Sequence, residues 1–447
     1  MKKKYFIKTK NIFIHTSIPA PGTKKLIKSL SKIESRSMHG QMPIAWDKAK
    51  DFNIFDIAGN KFIDFTSTIF VANIGHSNSR LIKYIQNGLN KNLLHSYAYV
   101  NKIREKYLKR LITFAGKNFQ KVFLMSAGTE ATEAALKLMR MHGQKNKKRR
   151  LGIICFEGNW HGRTMGAQMM SGNTKQKEWI GYHDPNIYHL PFPYPWALKK
   201  NSPRQFLINS LKKLEKKIDI KKDVCGVMVE TFQGWGALYY PKEYIKLLDK
   251  ICKKNKILIT FDEMQSGFGR TGYRFGYEYY GIKPDLICCG KGMGGGFPVS
   301  AVLGRKKIMD LPEIGNMSST HSANPLACYA GLAVIDEINK KKIIINTKKK
   351  EKILFEKLHA IRRKFPKEIL FVEGKGLIAA LIFSLNVRKN IKEVLRLIVQ
   401  KCLEKGLLVV YTGRESIKIG PPLTITNNAL IEGVDILDKV ITEELVK

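Results

Sequence analysis

The sequence predicts an α/β protein in which a large domain, built on a mainly parallel sheet covered by helices, is joined to a smaller α+β domain. Three observations predict it. Through the middle of the chain, short apolar runs alternate with amphipathic segments, as strands and their crossover helices do in a parallel sheet. Polar residues suited to chemistry gather where the apolar runs stop, and the ligand crevice of an open α/β sheet lies beyond the carboxyl ends of its strands. Beyond about residue 340 the composition turns lysine-rich, and helix and strand patterns of a different order follow.

In chain order, residues 1–65 are an N-terminal segment, including the turn-like Ala58-Gly59-Asn60, expected to pack with the small domain. Residues 66–335 are the large domain. Its strands read as Lys121–Met125 (KVFLM), Leu151–Phe156 (LGIICF), Val224–Glu230 (VCGVMVE), Ile257–Phe261 (ILITF), Leu286–Cys289 and Val299–Leu303. Helical periodicity marks Glu130–Met141 and Pro325–Ile338; the second opens on a proline, whose fixed φ and missing N–H suit a first helical position. Residues 336–447 are the small domain: a helix over Lys350–Arg363, strands Ile369–Val372 and Leu377–Phe383, a helix over Ile391–Gly406, then a last strand and helix. A chain of 447 residues has room for both cores, and it carries no internal repeat.

Hydrophobic residues make up 44% and charged residues 26%, which excludes a disordered chain. The 78 Lys+Arg against 37 Asp+Glu give a formal charge of +41, a field that would draw nucleic acid or anionic membrane. The basic runs Gln144–Arg150 (QKNKKRR), Asn339–Lys342 and Lys348–Lys350 fall between periodic segments, where solvated loops and helix ends lie. No aromatic residues interleave with them to stack bases. A general drift toward lysine, isoleucine and asparagine accounts better for the charge, so neither nucleic acid nor membrane is expected as a partner. A basic nucleic-acid-binding protein on an enzyme fold is the non-enzymatic alternative.

Cysteines 155, 225, 252, 288, 289, 328 and 402 form no C-x-x-C pair and no His/Cys ligand spacing, and fit small hydrophobes in a reducing cytoplasm; no metal is expected. Lysines interrupt the apolar residues of the N-terminal MKKKYFIKTKNIFIH before a signal-peptide core forms, and no run of 18 apolar residues occurs.

Four segments at strand ends ask for one explanation. Ser126-Ala127-Gly128-Thr129 opens a helix straight after a strand; free N–H groups there suit a phosphate, although Ser/Thr with a downstream glutamate is also plain helix capping. Asp262 follows four apolar residues, so its carboxylate serves either a structural ion pair or a ligand cation. In FEGNWHGRT, Trp160 with His161 and Arg163 close behind can pack, or can hold a flat ring and a carboxylate. In CCGKGMGGGFPVS, Lys291 stands between a strand and a glycine cluster, where desolvation supplies the neutral amine of Schiff-base chemistry. Phosphate cup, flat aromatic, carboxylate and amine together are the fittings of a pyridoxal-phosphate site.

At these residues the chain resembles the class III (ω-type) aminotransferases of the fold type I pyridoxal-phosphate enzymes, whose large domain holds a seven-stranded sheet. The resemblance runs from DIAGNKFIDFTSTIFVANIGH at 56–76 to IKIGPPLTIT at 417–426, and DExQxGxGRTG followed by the lysine of PDxxxxGKGxGGGxP is its most specific part. It implies that Lys291 carries the cofactor as a Schiff base and moves the substrate proton, that Asp262 pairs with the pyridinium, and that Gln265 lies near the phenolic oxygen. Gly128 and Thr129 fall in the phosphate cup, where Ala127 stands in a slot that is often serine. Trp160 takes the ring-stacking slot, usually Tyr or Phe. Thr320 in SSTHSANP matches a threonine that reaches the neighbouring subunit's phosphate, which implies a homodimer with shared sites.

For substrate, the resemblance implies that Arg163 grips a carboxylate and that Glu230 can neutralise a second cationic residue. That residue is usually Arg but is Lys418 here, which keeps the charge and loses the fork geometry. Ile69 falls where ornithine-type enzymes carry tyrosine, and leans toward a 4-aminobutyrate-like or other ω-amino substrate; plain core packing explains it as well. The expected activity is an EC 2.6.1.- aminotransferase. It would move an amino group from an amino acid or ω-amine (4-aminobutyrate- or ornithine-like) to a 2-oxo acid by ping-pong aldimine and ketimine steps with pyridoxal 5'-phosphate. An aminomutase or decarboxylase on the same fold is the alternative.

Overall fold

The computed structural model describes residues 6–145, 149–198, 202–385 and 390–446. Residues 1–5 of the basic N-terminal stretch and 146–148 of the QKNKKRR run lie outside the described residues.

The chain divides into two compact units: Met1–Ser79 with Trp235–Ala237 and Ile345–Lys447, and Arg80–Gly234 with Leu238–Ile344. These limits differ from the expected 65 and 335, and local packing explains both shifts. Residues past 65 stay with the first unit, where Asp51 and His76 form a β-bridge and Phe70 packs so tightly on Gly420 that a Cβ there would fall 2.2 Å from its ring. The helix Pro325–Lys340 stays with the second, where a Cβ on Gly331 would meet the Tyr107 ring at 2.2 Å.

The second unit is built on seven strands: β1 (Lys121–Met125), β2 (Gly152–Phe156), β3 (Ile187–Leu190), β4 (Val224–Glu230), β5 (Leu258–Asp262), β6 (Leu286–Cys289) and β7 (Ser300–Gly304). Their spatial order is β1-β7-β6-β5-β4-β2-β3. The pairings β5/β6, β5/β4, β4/β2 and β2/β3 are parallel, whereas β7 runs antiparallel to both β6 and β1. Six of the seven strands therefore point one way, and their carboxyl ends share an edge. Five of them (β2, β4, β5, β6 and β7) are buried throughout, which is why they read as unbroken apolar runs and not as alternation. The exceptions are β1, exposed at its start, and β3, which the sequence reading left unassigned: its four residues, IYHL, are partly exposed and contain a histidine.

Helix α1 (Gly128–Gln144) lies against this sheet through Ala131, Ala134, Ala135, Leu138 and Met139, where small side chains allow a close approach. It starts two residues before its periodic stretch, because the first turn carries glycine and threonine and not core residues.

The first unit holds two sheets. Ile369–Lys375, Ile378–Phe383, Ser416–Ile419 and Val410–Tyr411 form an antiparallel sheet in that order. The N-terminal strands Ile7–Lys8, Phe13–Ile14, Lys61–Asp64, Asn53–Asp56 and Trp46–Lys50 form the other, and Leu407–Leu408 pairs parallel with Lys61–Asp64. That pairing attaches the N-terminal segment to the C-terminal residues.

Ser67, Thr68, Ile69 and Phe70 have φ of 45°, 51°, 60° and 68°, four successive residues in the left-handed region. Each costs about 1–2 kcal/mol for an L-residue. Hydrogen bonds hold the turn: the Asp64 carboxylate accepts from Thr66 N–H and O–H, both at 2.7 Å, and Ser67 O–H donates to the Gly420 carbonyl at 2.6 Å. Among the described residues, no helix is long and apolar enough to cross a membrane.

Candidate active site

The carboxyl edge of the seven-stranded sheet carries one pocket, lined by Gly128, Thr129, Trp160, His161, Gly162, Glu230, Asp262, Met264, Gln265 and Lys291. Each side chain is delivered by a strand end. Glu230 and Asp262 are the last residues of β4 and β5, whose parallel pairing sets them side by side in register.

Lys291 stands two residues past β6, at φ 46° in a short 3-10 turn closed by Met293 N–H to Gly290 O at 3.0 Å. A lysine has no intrinsic reason to adopt this backbone, and strained residues of this kind concentrate at functional sites. Its side chain is half-buried by surface exposure, yet its ammonium is enclosed by the pocket walls. Burial pushes its pKa below that of an ordinary lysine, and the Asp262 and Glu230 carboxylates oppose that fall. The neutral amine is thus more available than on a solvated lysine.

Asp262 has a hydrogen-bonding partner for its buried carboxylate. Its Oδ2 lies 2.9 Å from Nδ1 of His161, with both side chains almost fully buried. Its Oδ1 accepts the Met264 N–H at 3.1 Å. His161 is itself fixed, because its N–H donates to Ser171 Oγ at 2.8 Å and its carbonyl accepts from Thr132 Oγ1 at 2.8 Å. Nε2 of His161 is buried without a hydrogen-bond partner among the described residues, so the network assigns the proton to Nδ1, facing the carboxylate.

At the start of α1, the capping and phosphate readings separate. Ala127, the N-cap, has no side-chain acceptor, while Glu130 reaches back to accept the Ser126 and Ala127 N–H groups at 2.9 and 2.7 Å. The next two N–H groups, of Gly128 and Thr129, have no helical acceptor by position, which makes them available to an anion. Glycine is required along this wall. A Cβ on Gly162, at φ 141°, would fall 2.3 Å from Thr129 Oγ1, and one on Gly128 would fall 2.8 Å from the Met264 sulfur.

Trp160 lines the pocket, and its backbone N–H donates to Glu230 Oε2 at 2.9 Å. Arg163 is exposed, with its guanidinium 4.7 Å from the Trp160 ring centroid. Four expected site residues, Arg163 among them, are not in the lining of this pocket. Thr320 sits on an exposed turn of the second unit and is not among the residues lining this pocket. Ile69 and Lys418 belong to the first unit. There Ile69 lines an apolar cavity with Met42, Trp46 and Tyr411, and Lys418 is buried with its ammonium 4.5 Å from the Phe70 ring centroid. Sequence reasoning gave His161 no role and passed over Met264 and Gly162. The histidine lies 101 residues from its carboxylate, and only its place behind a strand-end tryptophan could have flagged it.

A sequence profile of the family described as aminotransferase class-III matches residues 35–441. The chain belongs to the class III aminotransferases. It is similar to the acetylornithine aminotransferase of Clostridium acetobutylicum, with 33% identity over 418 residues covering 92% of this chain and 100% of that one. It is likewise similar to the mitochondrial acetylornithine aminotransferase of Saccharomyces cerevisiae, at 33% identity over 396 residues, 86% of this chain and 88% of the other. The crystal structure of acetylornithine aminotransferase from Elizabethkingia anophelis matches with a TM-score of 0.78 and 26% identity, covering 94% of this chain and 99% of that one.

This aminotransferase therefore uses pyridoxal 5'-phosphate to pass an amino group to a 2-oxo acid. The pocket fits that cofactor by its donor set: helix N–H groups beside a glycine wall for the phosphate, an indole for the ring, a His161-backed carboxylate for the ring nitrogen, and a desolvated amine for the aldehyde.

Proposed function

We propose that this enzyme transfers the ω-amino group of an ornithine-like amine to a 2-oxo acid. Lys291 is the amine that holds the cofactor's aldehyde carbon and carries the substrate proton, and Asp262 is the carboxylate facing the ring nitrogen. The observation that carries the assignment of roles is the meeting of Lys291, Asp262 and Glu230 in one pocket with the N-terminus of α1. The relatives named acetylornithine aminotransferase, matched nearly end to end, support the donor class.

When bound, the cofactor supplies an aldehyde for amino groups and a ring that accepts electrons from the carbon being deprotonated. The chain's own residues do the rest. Asp262, which accepts from His161 Nδ1, would face the ring nitrogen and hold a proton there. Lys291 Nζ, whose pKa burial lowers, would take the proton from the carbon bearing the substrate nitrogen and return it on the reverse course. Gly128 and Thr129 N–H groups would hold the phosphate, Trp160 would stack on the ring, and Gln265 would address the phenolic oxygen. Arg163 and Lys418 are the cationic residues for substrate carboxylates, and Glu230 offsets one of them when a substrate brings a single carboxylate. Ile69 adds an aliphatic contact on the substrate side.

The test is to load the protein with pyridoxal phosphate and follow its spectrum with N-acetylornithine, ornithine and 4-aminobutyrate, then to ask which 2-oxo acids restore it. N-acetylornithine should convert the bound cofactor fastest, and conversion by none of the three would overturn the donor class. Borohydride should fix the cofactor to the peptide bearing Lys291; turnover by Lys291→Ala at the wild-type rate would sink the assignment of that residue.

The active form is proposed to be a homodimer in which Thr320 serves the neighbouring subunit's phosphate. Exposed Leu94, Tyr99, Val100 and Ile314 of the second unit support an apolar contact face. Sedimentation should give twice the chain mass, and Thr320→Val should weaken cofactor binding. A reducing cytoplasm is proposed as its place of action, supported by seven buried free cysteines. Fractionation of cells should find it there and not in an organelle, although the yeast relative is mitochondrial by name.

A further inference from the structure

The loop that carries Trp160 and His161 into the pocket is zipped to a second segment, Ser171-Gly172. His161 N–H donates to Ser171 Oγ at 2.8 Å, Gly172 N–H donates to the Asn159 carbonyl at 2.8 Å, and Gly158 N–H donates to the Gly172 carbonyl at 3.2 Å. The two backbones approach so closely that a Cβ on Gly172 would fall 2.2 Å from Gly158 N. Where Ser171 stands therefore decides where the His161 ring meets Asp262.

Ser171 follows the short helix Met165–Met170, and its hydroxyl donates back to the Ala167 carbonyl at 2.9 Å. Carbonyls at the end of a helix lack partners inside it and carry partial negative charge. Here they meet two side chains. Lys177, from the 3-10 turn Lys175–Ile180, donates through Nζ to the Met169 and Ser171 carbonyls at 3.0 and 2.7 Å. His189 of β3, in register with Cys155 of β2, places Nε2 at 3.2 and 3.1 Å from the Met170 and Ser171 carbonyls. Two acceptors facing one nitrogen assign the imidazole proton to Nε2. Burial, with the neighbouring Lys177 ammonium, pushes the His189 pKa down to about 4, so the ring serves as a neutral donor.

Lys177 is only 4% exposed, and among the described residues its ammonium bonds carbonyl oxygens and no carboxylate. Burying an ammonium is costly, and without a carboxylate there is no charge to offset it. A methionine would fill the same space without that cost. What the lysine adds is direction, since its donors close on two carbonyls of a single turn and fix the serine between the helix and the loop.

We propose that Lys177, with His189 beside it, is a positioning residue for His161: the two hold Ser171, Ser171 holds the His161 backbone, and the imidazole thereby keeps its Nδ1–H on Asp262. The proposal rests on the reading that Asp262 serves the cofactor's ring nitrogen, and the experiment separates the two.

Protein loaded with pyridoxal phosphate is compared as wild type, Lys177→Met, Lys177→Arg, His189→Phe and His161→Leu. One readout is the downfield proton resonance of the His161 Nδ1–H, identified by its absence in His161→Leu, and its rate of exchange with water. The other is the single-turnover rate with N-acetylornithine. In Lys177→Met the proton should exchange about tenfold faster and the rate should fall about tenfold, while Lys177→Arg, which keeps a cation and its donors, should stay within about threefold of wild type on both. In a His161→Leu background, Lys177→Met should slow the rate by less than about twofold. An unmoved resonance in Lys177→Met, or a rate loss as large without His161 as with it, would overturn the proposal. If Lys177→Met does not fold, His189→Phe decides in its place, with faster exchange supporting the proposal and unchanged exchange overturning it. The resonance needs no substrate, so it judges the positioning whichever amine the enzyme takes. A His161→Leu enzyme at the wild-type rate, with the resonance shifted in Lys177→Met, would uphold the positioning and sink the role given to Asp262.

Discussion

Replacing His161 with leucine tests the electrostatic reasoning at its centre. The bond from His161 Nδ1 to Asp262 Oδ2 is 2.9 Å long and both side chains are almost fully buried, so little water can replace the lost donor. A hydrogen bond to a charged group contributes about 1.5–3 kcal/mol, and breaking a buried pair by removing one partner costs about 3–5 kcal/mol. If the part felt by the reacting state is the smaller figure, the rate of the amine half-reaction falls by about tenfold to a hundredfold at 1.4 kcal/mol per decade. His161→Asn, whose amide nitrogen can donate from nearly the same place, should recover most of the loss. The assay is single-turnover conversion of the bound cofactor, with cofactor occupancy and melting temperature recorded to separate chemistry from unfolding. The decisive comparison is a double-mutant cycle with Asp262→Asn. If His161 acts through the carboxylate, its removal should add little once the charge is gone. Losses that simply add, or a leucine variant within about threefold of wild type, would refute the reasoning.

Three further outcomes follow from other parts of the molecule. Glu230→Gln removes a carboxylate that raises the Lys291 pKa, so the pH at which apoprotein begins to capture the cofactor aldehyde should move downward; an unmoved or rising midpoint would contradict it. Gly162→Ala adds a Cβ 2.3 Å from Thr129 Oγ1 at a φ of 141°, and should weaken cofactor affinity at least ~10-fold by equilibrium dialysis. Burial raises the Glu373 carboxyl to about 7 from the ordinary 4.5 of a glutamate. The unfolded chain then binds fewer protons than the folded one between those values, so stability falls as pH rises through that window, by about 3 kcal/mol in all. Glu373→Gln should abolish that fall in urea titrations, and a variant with the wild-type pH slope would show that Glu373 is not its source.

Much of the fold was legible because the central strands are buried on both faces and cannot hide among polar residues. Val224–Glu230 and Leu286–Cys289 match their sequence limits, as does the partly exposed edge strand Lys121–Met125, and β2, β5 and β7 differ by one residue. The strand Ile187–Leu190 was not legible, since four residues at the sheet's edge leave no long apolar signature. In the pocket, Lys291 and Asp262 were visible because each is a charge where charge is costly. The link between Asp262 and His161 was not, because it joins loops that only the parallel order of β2, β4 and β5 brings together. The left-handed turn at Ser67–Phe70 carries no glycine to announce it; its conformation comes from the partners Asp64 and Gly420, the second far along the chain.

The single reversed strand of the seven-stranded sheet has a mechanical meaning. Because β7 runs against β6, the chain returns after only ten residues, Gly290–Val299, without a covering helix, and those ten carry Lys291. At its first residue, Ser300 O–H clasps the Ala127 carbonyl at 2.7 Å, directly before the helix start proposed to receive the phosphate. One clasp and one strand pairing thus act as a gauge between the two proposed anchorages of the cofactor, the amine at one end and the anion cradle at the other. A residue added to or taken from that short return would spoil the gauge without touching either anchorage.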